Sequence, residues 1–185
     1  MEHEKNNKIL TGKLKELSKS LGKYYSVKIG ILAENNKPVS ENMDLAGIGA
    51  VQEYGARIKV TDKMRAFFRY NFGVNLKKSK EYIEIPARSW LYEPIKNPEF
   101  RKRIFEYVGD QELFEETADK DVMKKLANII GEVGLLQIFK AFENGGINGE
   151  WQPNNAITVA QKGSSMPLVD KSDLKKSITF SVEAN

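Results

Sequence analysis

The 185-residue chain predicts an α+β fold: a small antiparallel sheet of about four strands packed against two main helices, with long loop or arm insertions. Three patterns carry that expectation. Leu10, Leu14, Leu17 and Leu21 repeat at spacings of four, three and four, the stripe of one helical face. Tyr25, Val27, Ile29 and Ile31 alternate with Ser26, Lys28 and Gly30, the period of a half-buried strand. Val122, Leu126, Ile129, Val133 and Leu136 form a second helical stripe late in the chain.

In chain order, residues 1–22 form an N-terminal helix, running from about Glu4 to Leu21 and ending at Gly22, and residues 23–185 a single α+β domain. A strand follows from Tyr24 to Leu32, then a polar loop from Ala33 to Asn42. Asp44 caps a short helix from Leu45 to Tyr54, whose Ala46, Gly47, Gly49 and Ala50 leave one face small enough for close approach; Gly55 closes it. Arg57 to Val60 and Tyr82 to Ile85 read as strands. The basic aromatic insertion 61–80 between them makes a hairpin with a helical insertion. Phe67, Phe68, Tyr70 and Phe72 are too many aromatics for a solvated loop, so they cover the sheet or meet a neighbouring chain, with core cover the favoured of the two.

Pro86 forces an extended backbone before Ala87, Arg88, Ser89, Trp90 and Leu91, the pattern of a strand handing over to a docked element. A helix near Pro98 to Tyr107 precedes the second main helix, from about Gln111 to Glu143, with a break allowed near Asp119. Gly131 and Gly134 each cost that helix about 1 kcal/mol against alanine, which implies tight packing on another element. Residues 144–166 form a long irregular loop anchored by Trp151. Ser172 or Asp173 caps a turn carrying Lys175 and Lys176, and Thr179 to Val182 form the last strand.

Composition narrows the chemistry. Hydrophobic residues at 41% and charged residues at 29% permit a core under a wide solvated surface. No apolar run approaches a membrane span, and the opening MEHEKNNK lacks a secretory signal's apolar segment, so synthesis in the cytoplasm is expected. The absence of cysteine excludes a disulfide framework, a thiolate nucleophile and a Cys-based zinc site. His3 is the single histidine and lies in a charged terminus, which all but removes a histidine-based triad. Lys162-Gly163-Ser164-Ser165 lacks the upstream glycine and the residue order of a phosphate loop. Glu115 with Asp119, or Asp170 with Asp173, can hold magnesium only if they converge; a solvated face and a helix cap are the readier roles. No cofactor, metal or catalytic residue is therefore expected.

Net charge is +4, from 29 basic and 25 acidic residues, so nucleic-acid binding is permitted rather than indicated. Basic residues cluster at Lys77, Lys78 and Lys80, at Arg101, Lys102 and Arg103, and at Lys171, Lys175 and Lys176; acids cluster at Glu112, Glu115, Glu116, Asp119 and Asp121. Only Arg65 to Tyr70, reading RAFFRY, interleaves bases with aromatics as a nucleic-acid face would.

Four pieces, in order across about Val27 to Val182, resemble tailed-phage neck and tail-completion proteins of the virion morphogenesis, head-tail joining type. They are the strand VKIGI; the helix end Ala50-Val51-Gln52-Glu53-Tyr54-Gly55, similar to A-x-x-x-E-[FY]-G with one residue fewer between the alanine and the acid; IPARSWL, similar to IPARPFL; and Trp151-Gln152-Pro153 with Thr158, Lys162, Pro167-Leu168-Val169-Asp170 and Leu174-Lys175-Lys176-Ser177-Ile178, similar to W-x-P…T…K…PLxDTGxLxxSI. The chain departs from the pattern at Lys171-Ser172, where Thr-Gly is common, at Ser89 in place of a proline, and in the long insertion 61–80.

The resemblance implies a structural virion protein without enzymatic activity. It implies a subunit of a homo-oligomeric ring, commonly sixfold, in the neck between the head connector or adaptor and the tail tube or terminator. DNA passes through such a ring without sequence readout, and the basic clusters are expected to face outward or toward partner proteins. A ring needs two unlike patches on each subunit. The candidates are the insertion around Phe67, Phe68 and Phe72, the loop around Trp151, and the IPARSWL segment with Arg88 and Trp90, an internal role being the readier one for the last two. Arg88 is expected to bind a carboxylate or a backbone carbonyl. The alternative is a nucleic-acid-binding module built on residues 65–80; a magnesium-dependent enzyme ranks last.

Overall fold

The computed structural model describes residues 12, 15–16, 18–108, 120–163, 165–168 and 173–185. Its elements in chain order are β1 (Tyr25–Ile31), β2 (Pro38–Ser40), β3 (Met43–Asp44), α1 (Leu45–Tyr54), β4 (Ala56–Lys59), α2 (Asp62–Phe72), β5 (Tyr82–Ile85), α3 (Tyr92–Lys96), α4 (Pro98–Val108), α5 (Lys120–Asn144), α6 (Ala156–Lys162), α7 (Asp173–Ser177) and β6 (Ile178–Ala184). The class is α+β, as expected. Residues 18–24 are also helical, so the first helix passes through Gly22 and runs directly into β1. That corrects the expected stop at Gly22: Asn185 holds the junction instead, its backbone N–H donating to Tyr24 O at 2.9 Å and its side chain to Gly22 O at 2.8 Å. The helix start near Glu4, with Leu10, Leu14 and Leu17, lies outside the described residues.

The expected four-stranded sheet is not formed among the described residues. The strands instead make three separate two-stranded antiparallel ladders, β1 with β6, β2 with β3, and β4 with β5. A strand joins a core sheet when it has an apolar face to bury. β4 reads ARIK, exposes Arg57, Ile58 and Lys59, and has nothing to lay on the core, so its hairpin with β5 stands apart. The polar loop expected over Ala33 to Asn42 holds a short 3-10 turn at Ala33–Asn35 and then the hairpin β2–β3.

The principal ladder pairs Tyr25 with Ala184 through to Ile31 with Ile178. α5 lies across it and organises two apolar clusters. Met123, Leu126, Ala127 and Val133 meet Tyr25, Phe100 and Ile104 in the first, against which Leu21 also packs. Ile138, Ala141 and Phe142 meet Trp90, Trp151, Leu168, Leu174 and Ile178 in the second. Of the predicted stripe, Leu126 and Val133 are buried and Val122 and Ile129 half-buried, but Leu136 is 43% exposed. A seven-residue spacing drifts by about 20° per heptad on a straight helix, and the buried face continues instead through Gly134, Gln137, Ile138, Ala141 and Phe142.

Gly131 and Gly134 explain how closely helix and ladder approach. A Cβ at Gly131 would lie 2.1 Å from the Phe180 ring, and one at Gly134 would lie 2.4 Å from Ile29 Cδ1. Asp44 Oδ1 caps α1 by accepting from Gly47 N at 2.7 Å, while Asn36 Nδ2 donates to Asp44 Oδ2 at 2.9 Å. Residues 144–166 are not irregular throughout, as expected, because they include α6. Asn155 starts it by accepting from Thr158 N at 2.9 Å, and Gly163 ends it with φ +67°. Lys171 and the candidate cap Ser172 lie outside the described residues, and the turn expected to carry Lys175 and Lys176 is α7.

Gly131→Ala ordinarily gains helix propensity, about 1 kcal/mol. Here the added methyl collides with a ring, so denaturant unfolding is expected to show a net loss of about 1–3 kcal/mol, partly recovered when Phe180→Leu is added. The Gly47 N–H, and secondarily Asn36, hold the Asp44 carboxyl below its ordinary pKa of 3.8. Its folded-state value is therefore depressed, and the stability it contributes is complete above the ordinary value and lost as pH falls through the folded one. Acid unfolding curves of Asp44→Asn, which keeps a capping oxygen, should show a smaller loss of stability below pH 4 than wild type.

Candidate functional site

The segment after β5 is built around one carboxylate. Glu53, buried near the end of α1, accepts from Ser89 Oγ, Trp90 N at 2.8 Å, Leu91 N at 2.9 Å and Tyr92 N at 3.1 Å. These N–H groups lead into α3, where free backbone donors and the positive end of the helix favour an anion. Ser89 Oγ also accepts from Glu93 N at 3.1 Å, a capping contact that a proline at this position would lack. The sequence reading named Glu53 only as the acid of the resembling helix end and gave it no partner; the further signal was an acid inside a small, apolar helix.

Arg88 ties the same segment to two others. Its backbone N–H donates to Gln52 O at 2.7 Å, its Nε to Gln152 O at 2.9 Å and its Nη1 to Gln52 Oε1 at 3.1 Å. A backbone carbonyl was one of its two expected partners; the nearby carboxylate serves the Ser89–Tyr92 turn instead. Burial pulls its pKa below the usual arginine value. Trp90 donates from Nε1 to Gly49 O at 2.9 Å, and a Cβ on Gly49 would lie 3.0 Å from its ring, so the small face of α1 is what admits the indole. The Trp90 and Trp151 rings stand edge-on to Phe142, with centroids 6.1 Å and 5.6 Å away. Arg88, Trp90 and Trp151 are thus buried within the single chain, and their side chains do not form an exposed interface patch.

The insertion 61–80 is an arm. α2 has no buried residue; Phe67 is 53% exposed and Tyr70 84%. Phe67, Phe68 and Phe72 pack edge-to-face on one another, with centroids 5.4–6.1 Å apart, and belong to neither core cluster. The favoured expectation of core cover is therefore corrected: among the described residues these rings pack on one another and join neither apolar cluster. Arg65 holds the arm's return loop, its guanidinium donating to the carbonyls of Leu76, Lys77, Lys78 and Lys80 at 2.8–3.3 Å. Arg57 lies over the Tyr82 ring, 3.9 Å from its centroid, and stiffens the arm's root.

Among the described residues no three His, Asp or Glu side chains gather as a metal site. Glu115, Asp119 and Asp170 lie outside them. Lys102 and Arg103 pair with Glu99 and Glu106, and Lys175 with Glu143 at 3.1 Å, whereas Lys77, Lys78 and Lys80 are exposed on the arm.

Glu53→Gln leaves one acceptor oxygen and turns the other position into a donor facing donors. A loss of about 2–4 kcal/mol in denaturant unfolding is expected, with Trp90 fluorescence shifted toward that of solvated indole. An unchanged midpoint would contradict the structural role assigned to this carboxylate. No protein-family model matches the chain, and no curated protein or solved structure matches it either.

Proposed function

We propose that this chain is a neck or tail-completion subunit of a tailed phage, made in the host cytoplasm and built into the virion. It assembles with copies of itself into a ring, commonly sixfold, that joins head connector and tail and leaves a channel for DNA. The observation that carries this reading is that the four resembling pieces are neighbours in the fold. VKIGI lies in β1, Glu53 and Gly55 end α1, IPARSWL bonds to both Gln52 and Gln152, and Leu168, Leu174 and Ile178 share a cluster with Trp90 and Trp151. Matches scattered by chance along a sequence have no reason to share one buried network. The role requires no chemistry, only surfaces that dock. The arm supplies one, with exposed aromatic groups of the kind that dominate interface energetics.

The second reading, a nucleic-acid-binding module on residues 65–80, rests on the same arm. It is weaker because Arg65 is engaged by four carbonyls and the phenyl rings pack on one another rather than lying open for bases to stack.

Light scattering over a concentration series, with electron microscopy of the same samples, is expected to show oligomers and rings. A protein that stays monomeric throughout and binds DNA fragments in a salt-dependent way would overturn the proposal in favour of the nucleic-acid module. Replacing Tyr70 by serine should weaken association by roughly fivefold or more and leave the melting temperature nearly unchanged, since its side chain is 84% exposed.

A further inference from the structure

The principal ladder has two strands, and β6 pairs with β1 alone among the described residues. The register runs one step past Tyr25 and Ala184, since Asn185 N donates to Tyr24 O at 2.9 Å. Bonded and unbonded pairs alternate along an antiparallel ladder. The bonded pairs are therefore Ser26 with Glu183, Lys28 with Ser181 and Gly30 with Thr179. Phe180, Val182 and Ala184 turn their N–H and C=O groups to the free side, where no described group bonds them. Edge strands are ordinarily blunted by proline, basic side chains or a bulge. The smaller ladders follow that rule: β2 begins at Pro38 and its register shifts, and β4 carries Arg57 and Lys59. β6 reads ITFSVEA over seven residues, with no proline, no basic residue and no register shift.

We infer that β6 docks antiparallel on β6 of a second copy, joining two β1–β6 ladders into one four-stranded sheet about a two-fold axis at Ser181. Directly opposite residues share a face, and bonded pairs form between residues whose N–H and C=O groups face each other. An axis at Ser181 matches the whole strand to itself: Ile178 stands opposite Ala184 of the second copy, Phe180 opposite Val182, and Thr179 opposite Glu183. The row of Ile178, Phe180 and Val182, which packs toward α5, then continues into the same row of the second copy. Parallel pairing would instead set Phe180 beside Thr179 or Ser181 and mix apolar with polar. Like charges do not face one another, and Glu183 keeps Lys28 of its own chain at 2.6 Å. The outer edge of β1 is a poorer partner, because a Cβ at Gly30 would lie 3.8 Å from Leu91 Cδ2 and one at Gly49 of α1 lies 3.1 Å from Ile31 Cδ1. Phe180 and Val182 are half-buried in one copy, so the added strand covers apolar surface, and a sheet of four strands is far sturdier than a ladder of two. The contact joins like surfaces, unlike the head-to-tail contact of a ring, so it stands independently of the function proposed above.

The chain has no cysteine, so a thiol can be placed at the axis without a competitor. Ser181 meets Ser181 of the second copy as an unbonded pair, with Cα atoms about 4.5 Å apart, within reach of a disulfide. Ser181→Cys is therefore expected to give a covalent dimer under mild oxidation. Thr179→Cys alone should not, its two copies lying about 13 Å apart along the strands, but should cross-link when mixed with Glu183→Cys. Sedimentation equilibrium, with circular dichroism as a control of folding, gives the second readout. Ser181→Glu gains an attraction to Lys28 within its own chain and sets two carboxylates face to face across the axis. It should raise the dimer dissociation constant by roughly tenfold or more, and an equal mixture with Ser181→Lys should restore association. Absence of the Ser181→Cys dimer, or association indifferent to Ser181→Glu, would overturn the contact. Oligomers that persist in Ser181→Glu but weaken in Tyr70→Ser would overturn it and leave the ring standing. Cross-linking of Thr179→Cys to itself would move the axis and overturn the register. A wild type that is monomeric at all concentrations would leave the edge to a strand of another protein and overturn the dimer.

Discussion

Glu53 presents its carboxylate to four donors of residues 89–92, three of them backbone N–H groups, inside the subunit. A buried carboxylate is strongly unfavourable unless its oxygens are bonded, and a turn whose N–H groups lack partners is unfavourable for the same reason. Each defect is removed only by the other, at one relative position of α1 and the segment after β5. Trp90 sits within that turn, so fixing the turn aims the indole at Gly49 and Phe142. Phe142 receives Trp151 on a second edge, and Gln152 next to it takes Arg88. One polar contact thereby sets where three distant parts of the chain meet.

The lower part of the subunit follows a different rule. There the constraint is the separation between α5 and the β1–β6 ladder, which Gly131 and Gly134 reduce until Phe180 and Ile29 occupy the space where side chains would stand. Helical propensity is sacrificed at two positions so that backbone and ring surfaces touch, and dispersion contacts at that distance replace it. Outside these two packed regions the arm forms without a core, held by Arg65 and its own aromatic cluster.

Local features were legible in the sequence because short-range chemistry decides them. The alternation of β1, the Asp44 cap, the Gly55 stop and the two glycines of α5 each depend on residues within a few positions or on a single steric fact. The partners of the strands were not legible, since period two shows that a strand has two faces and says nothing of which edge it offers. That is why one four-stranded sheet was expected where three ladders form. α6 escaped notice for another reason: Asn155 with Thr158 and Gly163 is a complete start and stop, but it directly follows a glycine and asparagine run whose composition suggests irregular backbone. Among the site residues, Arg88, Trp90 and Trp151 were identified by type, whereas Glu53, which organises them, entered only as one position of the resembling helix end, with no partner assigned.

The pairing of β1 with β6 has a kinetic side. Ile31 lies opposite Ile178, so the strand nearest the start of the described fold has no ladder partner until almost 150 further residues exist. At ordinary synthesis rates that interval is roughly 10–30 s. During it Val27 and Ile29 have no strand beside them and lack the cover of α5, while Ile31 has α1 at Gly49 as an early neighbour. The β4–β5 hairpin pairs residues fewer than 30 apart, so its ladder can form long before that of β1 and β6. The exposed aromatic groups of the arm are therefore synthesised while the β1–β6 ladder is still open.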